Sequence, residues 1–139
     1  MGRILIFILL IFNGCSINNK ESKSIKAEFF ICGIDEFTNF YRFKGFIDEE
    51  TDTVYAISYK EKPILEAVPN ITIEKKIEPN KRFHFIIEKI KPRIFQNNYN
   101  SQFIIIGDET LWKGSMETTP PNYYIIKNAA GMKLFRINK

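Results

Sequence analysis

Tyr41-Arg42-Phe43-Lys44-Gly45-Phe46-Ile47-Asp48, followed by Glu49-Glu50-Thr51-Asp52 and then Thr53-Val54-Tyr55-Ala56-Ile57-Ser58-Tyr59-Lys60, is the stretch that sets the fold class. In its first part Tyr41, Phe43, Gly45 and Ile47 alternate with Arg42, Lys44, Phe46 and Asp48. A β-strand throws successive side chains to opposite faces, so this alternation describes a ribbon with one face to bury. In the last part Thr53, Tyr55, Ile57 and Tyr59 share one face, and Val54, Ala56, Ser58 and Lys60 the other. The acidic residues between the two parts predict a solvated hairpin tip rather than a packed element.

The same pattern continues on both sides. Ala27–Ile34 reads as a strand, and so does Ile71–Ile77, with Ile71, Ile73 and Ile77 on one side. Arg82–Ile90 is another, where Phe83, Phe85 and Ile87 alternate with Arg82, His84, Ile86 and Glu88. Glu78-Pro79-Asn80-Lys81 puts Pro and Asn at the centre of a type I turn, which predicts a hairpin between Ile71–Ile77 and Arg82–Ile90. Pro63 and Pro69 make Glu61–Asn70 a connection, with room for one helical turn at Ile64–Ala67. Lys91–Gln102 reads as a loop, Phe103–Ile106 as a short strand covered on both faces, and Trp112 falls between two turns. Pro120-Pro121 interrupts the chain before the last strands, Tyr123–Lys127 and Met132–Ile137.

No long segment carries the period of an amphipathic helix. About eight short strands in one domain over residues 27–139 therefore predict an all-β protein. An open sheet would leave an apolar face in water, so the strands must form a small antiparallel barrel or a two-layer sandwich. An OB-like barrel and an immunoglobulin-like sandwich are the specific candidates.

Residues 1–16, MGRILIFILLIFNGCS, decide location. Arg3 gives a short positive start, and Ile4–Phe12 is an apolar run of signal-peptide length, too short to cross a bilayer as a helix. The run ends in Phe12-Asn13-Gly14-Cys15, which resembles the lipobox of bacterial lipoproteins, in the relaxed form of spirochaete and other low-GC members. Phe12 stands where Leu is usual, and Asn13 where Ala or Ser is usual. The resemblance implies cleavage after residue 14 and lipid on Cys15. Residues 15–26 then form the lipidated N-terminus and a polar tether. It also implies attachment to a membrane of the cell envelope through lipid, at the outer membrane or cell surface in preference to the inner membrane. One acyl chain anchors only marginally, so stable retention needs at least two.

Without the first 14 of 139 residues the chain carries nineteen basic and sixteen acidic groups, a mild positive excess. That balance permits contact with anionic surfaces without implying it. With Cys15 lipidated, Cys32 is the other of two cysteines, so no internal disulfide can form. Its neighbours Ile31, Gly33 and Ile34 predict a small buried hydrophobe.

No catalytic motif, metal-ligand spacing, phosphate loop or cofactor fingerprint occurs in the chain. The single histidine, His84, lies mid-strand and reads as solvated or hydrogen-bonded. An envelope enzyme would have to assemble His84 with Glu88 or Asp108, and with Cys32, in the fold. The acidic 48–52 turn lacks the spacing of a calcium loop. Lys75, Lys76, Lys81, Arg82, Lys89, Lys91 and Arg93, interleaved with Phe83, Phe85 and Phe95, form a candidate polyanion contact. An anionic glycan or a protein suits it better than nucleic acid, which export removes from reach. The favoured expectation is a non-enzymatic binding or interaction domain. The alternatives are a small enzyme around His84, or a structural or inhibitor-like module presenting an edge strand or aromatics such as Trp112.

Overall fold

A computed structural model describes residues 23–48, 51–61 and 71–137. The signal segment, Cys15, most of the tether and the helical turn expected at Ile64–Ala67 lie outside the described residues. Those described hold eleven strands and no helix: β1 Ile25–Glu36, β2 Phe40–Ile47, β3 Val54–Tyr59, β4 Ile71–Lys76, β5 Arg82–Ile90, β6 Ile94–Gln96, β7 Ser101–Ile106, β8 Glu109–Ser115, β9 Tyr123–Ile126, β10 Ala129–Ala130 and β11 Lys133–Ile137.

Five strands close a barrel in the order β1-β2-β3-β9-β5. β3 and β9 run parallel and the other pairs antiparallel. Counting only barrel strands in chain order, this is 1-2-3-5-4 returning to 1, the arrangement of an OB-fold Greek-key barrel. The barrel alternative is thus the observed one, and the sandwich is not. β1 is long enough to serve two partners: Phe29–Glu36 pairs with β2, and Ile25–Phe30 with β5. A bulge between Ile31 and Gly33 lets the strand bend from one to the other. Where β1 and β2 cross, Gly45 is obligatory, because a Cβ there would lie 1.9 Å from the Phe30 carbonyl oxygen.

The expected alternation holds at the barrel wall. Phe43, Gly45 and Ile47 point inward from β2, and Phe83, Phe85 and Ile87 from β5. Phe85 is fully buried, with ring centroids 5.8, 5.9 and 6.2 Å from Phe83, Phe29 and Phe43. Ala129 and Leu134 from the small sheet β10-β11-β4, and Ile77 just after β4, join this core. Ser58 Oγ donates to the Gly131 carbonyl, and the Gly131 N–H donates to Tyr59 O, tying that sheet to β3. Among the described residues, the members of both hydrophobic clusters fall between Ala27 and Leu134.

Three expectations need correction. β4 pairs with β11, not with β5, although the chain does reverse at Pro79-Asn80. The positive φ of Asn80, 59°, belongs to a type II turn. Its N–H donates to Ile31 O, and the Lys81 carbonyl accepts from Ile31 N–H, so the turn delivers the chain to β1. The turn chemistry specified a reversal, but not which strand would be the neighbour. Second, residues 91–102 are not all loop: β6 and the start of β7 lie there, and β8 carries Trp112. Third, Cys32 is exposed, because the β1 bulge turns it away from the interior.

Candidate functional site

β5 carries four of the candidate residues, Arg82, His84, Glu88 and Lys89. Its outward positions start at Arg82 and His84, while Phe83 and Phe85 are buried in the core. Lys75, Lys76, Lys81 and Arg82 gather with Glu78 and Phe83 around a cleft of about 370 Å³. Two of those cations are engaged: Lys81 Nζ pairs with Glu78, and Arg82 Nη1 lies 2.9 Å from Glu28 Oε1. The hydrogen bond from Lys81 holds the Glu78 carboxyl below its usual range. Lys89, Lys91 and Arg93 sit at the far end of the strand. At about 3.3 Å per residue, seven residues put Lys89 roughly 23 Å from Arg82. The single basic patch expected from sequence is therefore two patches, the second with Arg93 over the Phe95 ring at 5.0 Å.

The enzyme constellation is not brought together. The His84 side chain is 85% exposed, with Nε2 4.0 Å from Glu28 Oε2. Glu88 Oε2 lies 2.7 Å from Lys127 Nζ. Asp108 lines a different cleft, with Thr38, Tyr59 and Glu109, and Cys32 sits in the bulge. Among the described residues no three His, Cys, Asp or Glu side chains are grouped to hold a metal ion.

Sequence reasoning missed the most heavily built surface. The connection from β5 to β9 folds into the meander β6-β7-β8, and this lies on the outer face of β2, β3 and β9. A second core forms there from Phe40, Ile57, Ile104, Leu111 and Tyr123, with Tyr55, Tyr59 and Trp112 packed against it. Trp112 is thus partly buried against the second core. In an OB barrel the face of strands 2 and 3, flanked by the 1–2 and 4–5 loops, is where oligonucleotides and oligosaccharides lie. Here the 4–5 connection itself occupies that face. An over-long link holding the run Phe103–Ile106 was the one sequence signal that could have shown it.

Arg42 latches the cover. Its Nη2 and Nε lie 2.6 and 3.0 Å from Asp35 Oδ2, Nη1 donates to the Leu111 carbonyl, and the guanidinium stacks over Tyr55 and Phe37 at 4.8 and 5.3 Å. Burial works to lower the Arg42 pKa, but the Asp35 carboxylate outweighs it and the group is held charged. Burial raises the Tyr123 hydroxyl above the ordinary tyrosine value, with Arg42 partly offsetting it. A second latch runs from Thr38, whose N–H and hydroxyl donate to Glu109 Oε1 at 3.0 and 2.8 Å.

The chain matches no known protein family, no curated protein and no solved structure. Its function has to be sought in its own surfaces and in its N-terminal sequence.

Proposed function

We propose that the protein is a lipid-anchored lipoprotein of the cell envelope whose barrel acts as a non-enzymatic binding or interaction domain. The observation that carries this reading is the order of Arg3, the apolar run Ile4–Phe12 and Cys15. The polar composition of residues 16–24, between Cys15 and the start of β1 at Ile25, suits a spacer between lipid and barrel. Acyl chains on Cys15 would hold the domain on a membrane without any chain crossing it. Replacing Cys15 with Ala tests this: lipid labelling should disappear and the protein should leave the detergent phase. Continued lipid labelling of the variant would overturn the reading.

A second reading, a protein-interaction module, is favoured by where apolar side chains are exposed. Ile94, Phe95, Tyr99 and Met116, 39–87% exposed, all lie on the meander or its tips. A photo-crosslinker at position 99 on intact cells should then capture a protein partner, and a crosslinker at Lys44 on the barrel wall should not.

A further inference from the structure

A cleft of about 560 Å³ opens between the first residues of β1, the middle of β5 and the end of β11. Its floor is apolar, from Ala27, Phe85 and Phe135, and its rim carries Lys26, His84 and Arg136. Two carboxylates also line it, and both are engaged. Asp48 Oδ1 accepts from the Glu28 N–H at 2.9 Å, and Glu28 holds Arg82 through Oε1. Lys26 and Arg136 are exposed and form no ion pair among the described residues. Counting Arg82 with the Glu28 it holds, the cations Lys26, Arg82 and Arg136 exceed the carboxylates Glu28 and Asp48 by one, so the rim keeps a net positive charge above an apolar floor, which complements an amphiphile with an anionic head.

The chain itself places this cleft near such a ligand. Lys26 is eleven residues from Cys15, a separation of about 18 Å for a flexible spacer and at most about 37 Å when extended. Ile25, the residue before Lys26 in β1, is 47% exposed. We infer that the Lys26–His84–Arg136 cleft holds the phosphate headgroup of an anionic lipid in the membrane to which the protein is tethered. This inference rests on the lipoprotein reading. Headgroup binding would orient the barrel with its β1/β11 end toward the bilayer.

The test uses residues 16–139, which keep the whole barrel domain and omit Cys15, after near-UV circular dichroism confirms the fold of each variant. Failure of the anchor reading shows only in the Cys15→Ala experiment; failure of the cleft shows only here. Sedimentation with phosphatidylcholine vesicles containing phosphatidylglycerol should show binding that pure phosphatidylcholine does not support. Each basic side chain near an anionic surface contributes about a fivefold gain, so Lys26→Gln with Arg136→Gln should weaken binding about 30-fold. Lys89→Gln with Lys91→Gln removes the same charge at the other end of β5 and should change binding less than threefold. Equal loss in both double variants would reduce the effect to general charge and overturn the site.

His84, the one histidine, reports the cleft without ambiguity. Its imidazole proton resonance should shift with monomeric short-chain phosphatidylglycerol and stay in place with inorganic phosphate at equal concentration. An equal shift with inorganic phosphate would make this a site for free phosphate and overturn the assignment to lipid.

Discussion

The barrel and its cover are built from the same kind of strand, yet they are held by different forces. In the barrel, Phe29, Phe43, Phe83 and Phe85 fill a closed interior, and every wall strand is hydrogen-bonded on both sides. The meander has open edges at β6 and β8, shares a five-residue buried cluster with the barrel wall, and depends on the Arg42 and Glu109 latches to sit where it does. A closed sheet can lose little without opening altogether, whereas a latched sheet can come away while the barrel stays intact. The difference separates a rigid scaffold from a layer whose stability is set locally.

Three substitutions probe that contrast. The largest effect is expected for Phe85→Ala, about 3–5 kcal/mol for an aromatic removed from a closed core. Urea unfolding should show the barrel and meander losing structure together, and a shift under 1 kcal/mol would mean that Phe85 is not central to the barrel. Leu111→Ala empties the second core instead and should cost about 2–3 kcal/mol. Hydrogen exchange should then speed up in β7 and β8 and leave β1, β2 and β5 protected. Faster exchange in β1 and β5 as well would erase the distinction, making barrel and cover one cooperative unit.

The smallest effect is that of Tyr123→Phe, which removes a 3.4 Å hydrogen bond to the Leu111 carbonyl and should cost about 0.5–1 kcal/mol. Its value lies in the pH dependence. Because burial raises the Tyr123 pKa, the folded state keeps a proton that the unfolded chain releases above about pH 10. That contribution is complete below the unfolded value and is lost as pH rises through the folded one. Thermal melts of the parent should therefore fall more steeply in alkali than those of Tyr123→Phe, and parallel curves would show that the hydroxyl titrates as in water.

The fold class was legible because β5 and the greater part of β2 turn one face to the barrel core, so apolar and polar residues alternate there. Pairing was less legible. Tyr55 beside Tyr123 and Lys76 beside Lys133 are contacts between distant segments, and no local residue pattern encodes them. β6 escaped notice because Ile94, Phe95 and Gln96 are all exposed and leave no alternation to read. Of the candidate site, the basic residues were found but their grouping was not, since the period of two says which face a side chain takes and not how far along the strand its partners lie. Lys26 and Arg136 stood too far apart in sequence to be associated at all.

The parallel pairing of β3 with β9 also orders events in time. A chain emerging N-terminus first presents β1, β2 and β3 long before Tyr123–Ile126 arrives. The meander can pair from its own neighbouring strands meanwhile, but the barrel stays open along β3 and β5 until β9 slots between them. Contacts across so much intervening chain make closure slow, in the range of milliseconds to seconds for such topologies. A chain cut short before Tyr123 would be left with two unpaired wall edges, which are templates for self-association. Its last strands thus act as a completeness check on the newly made chain.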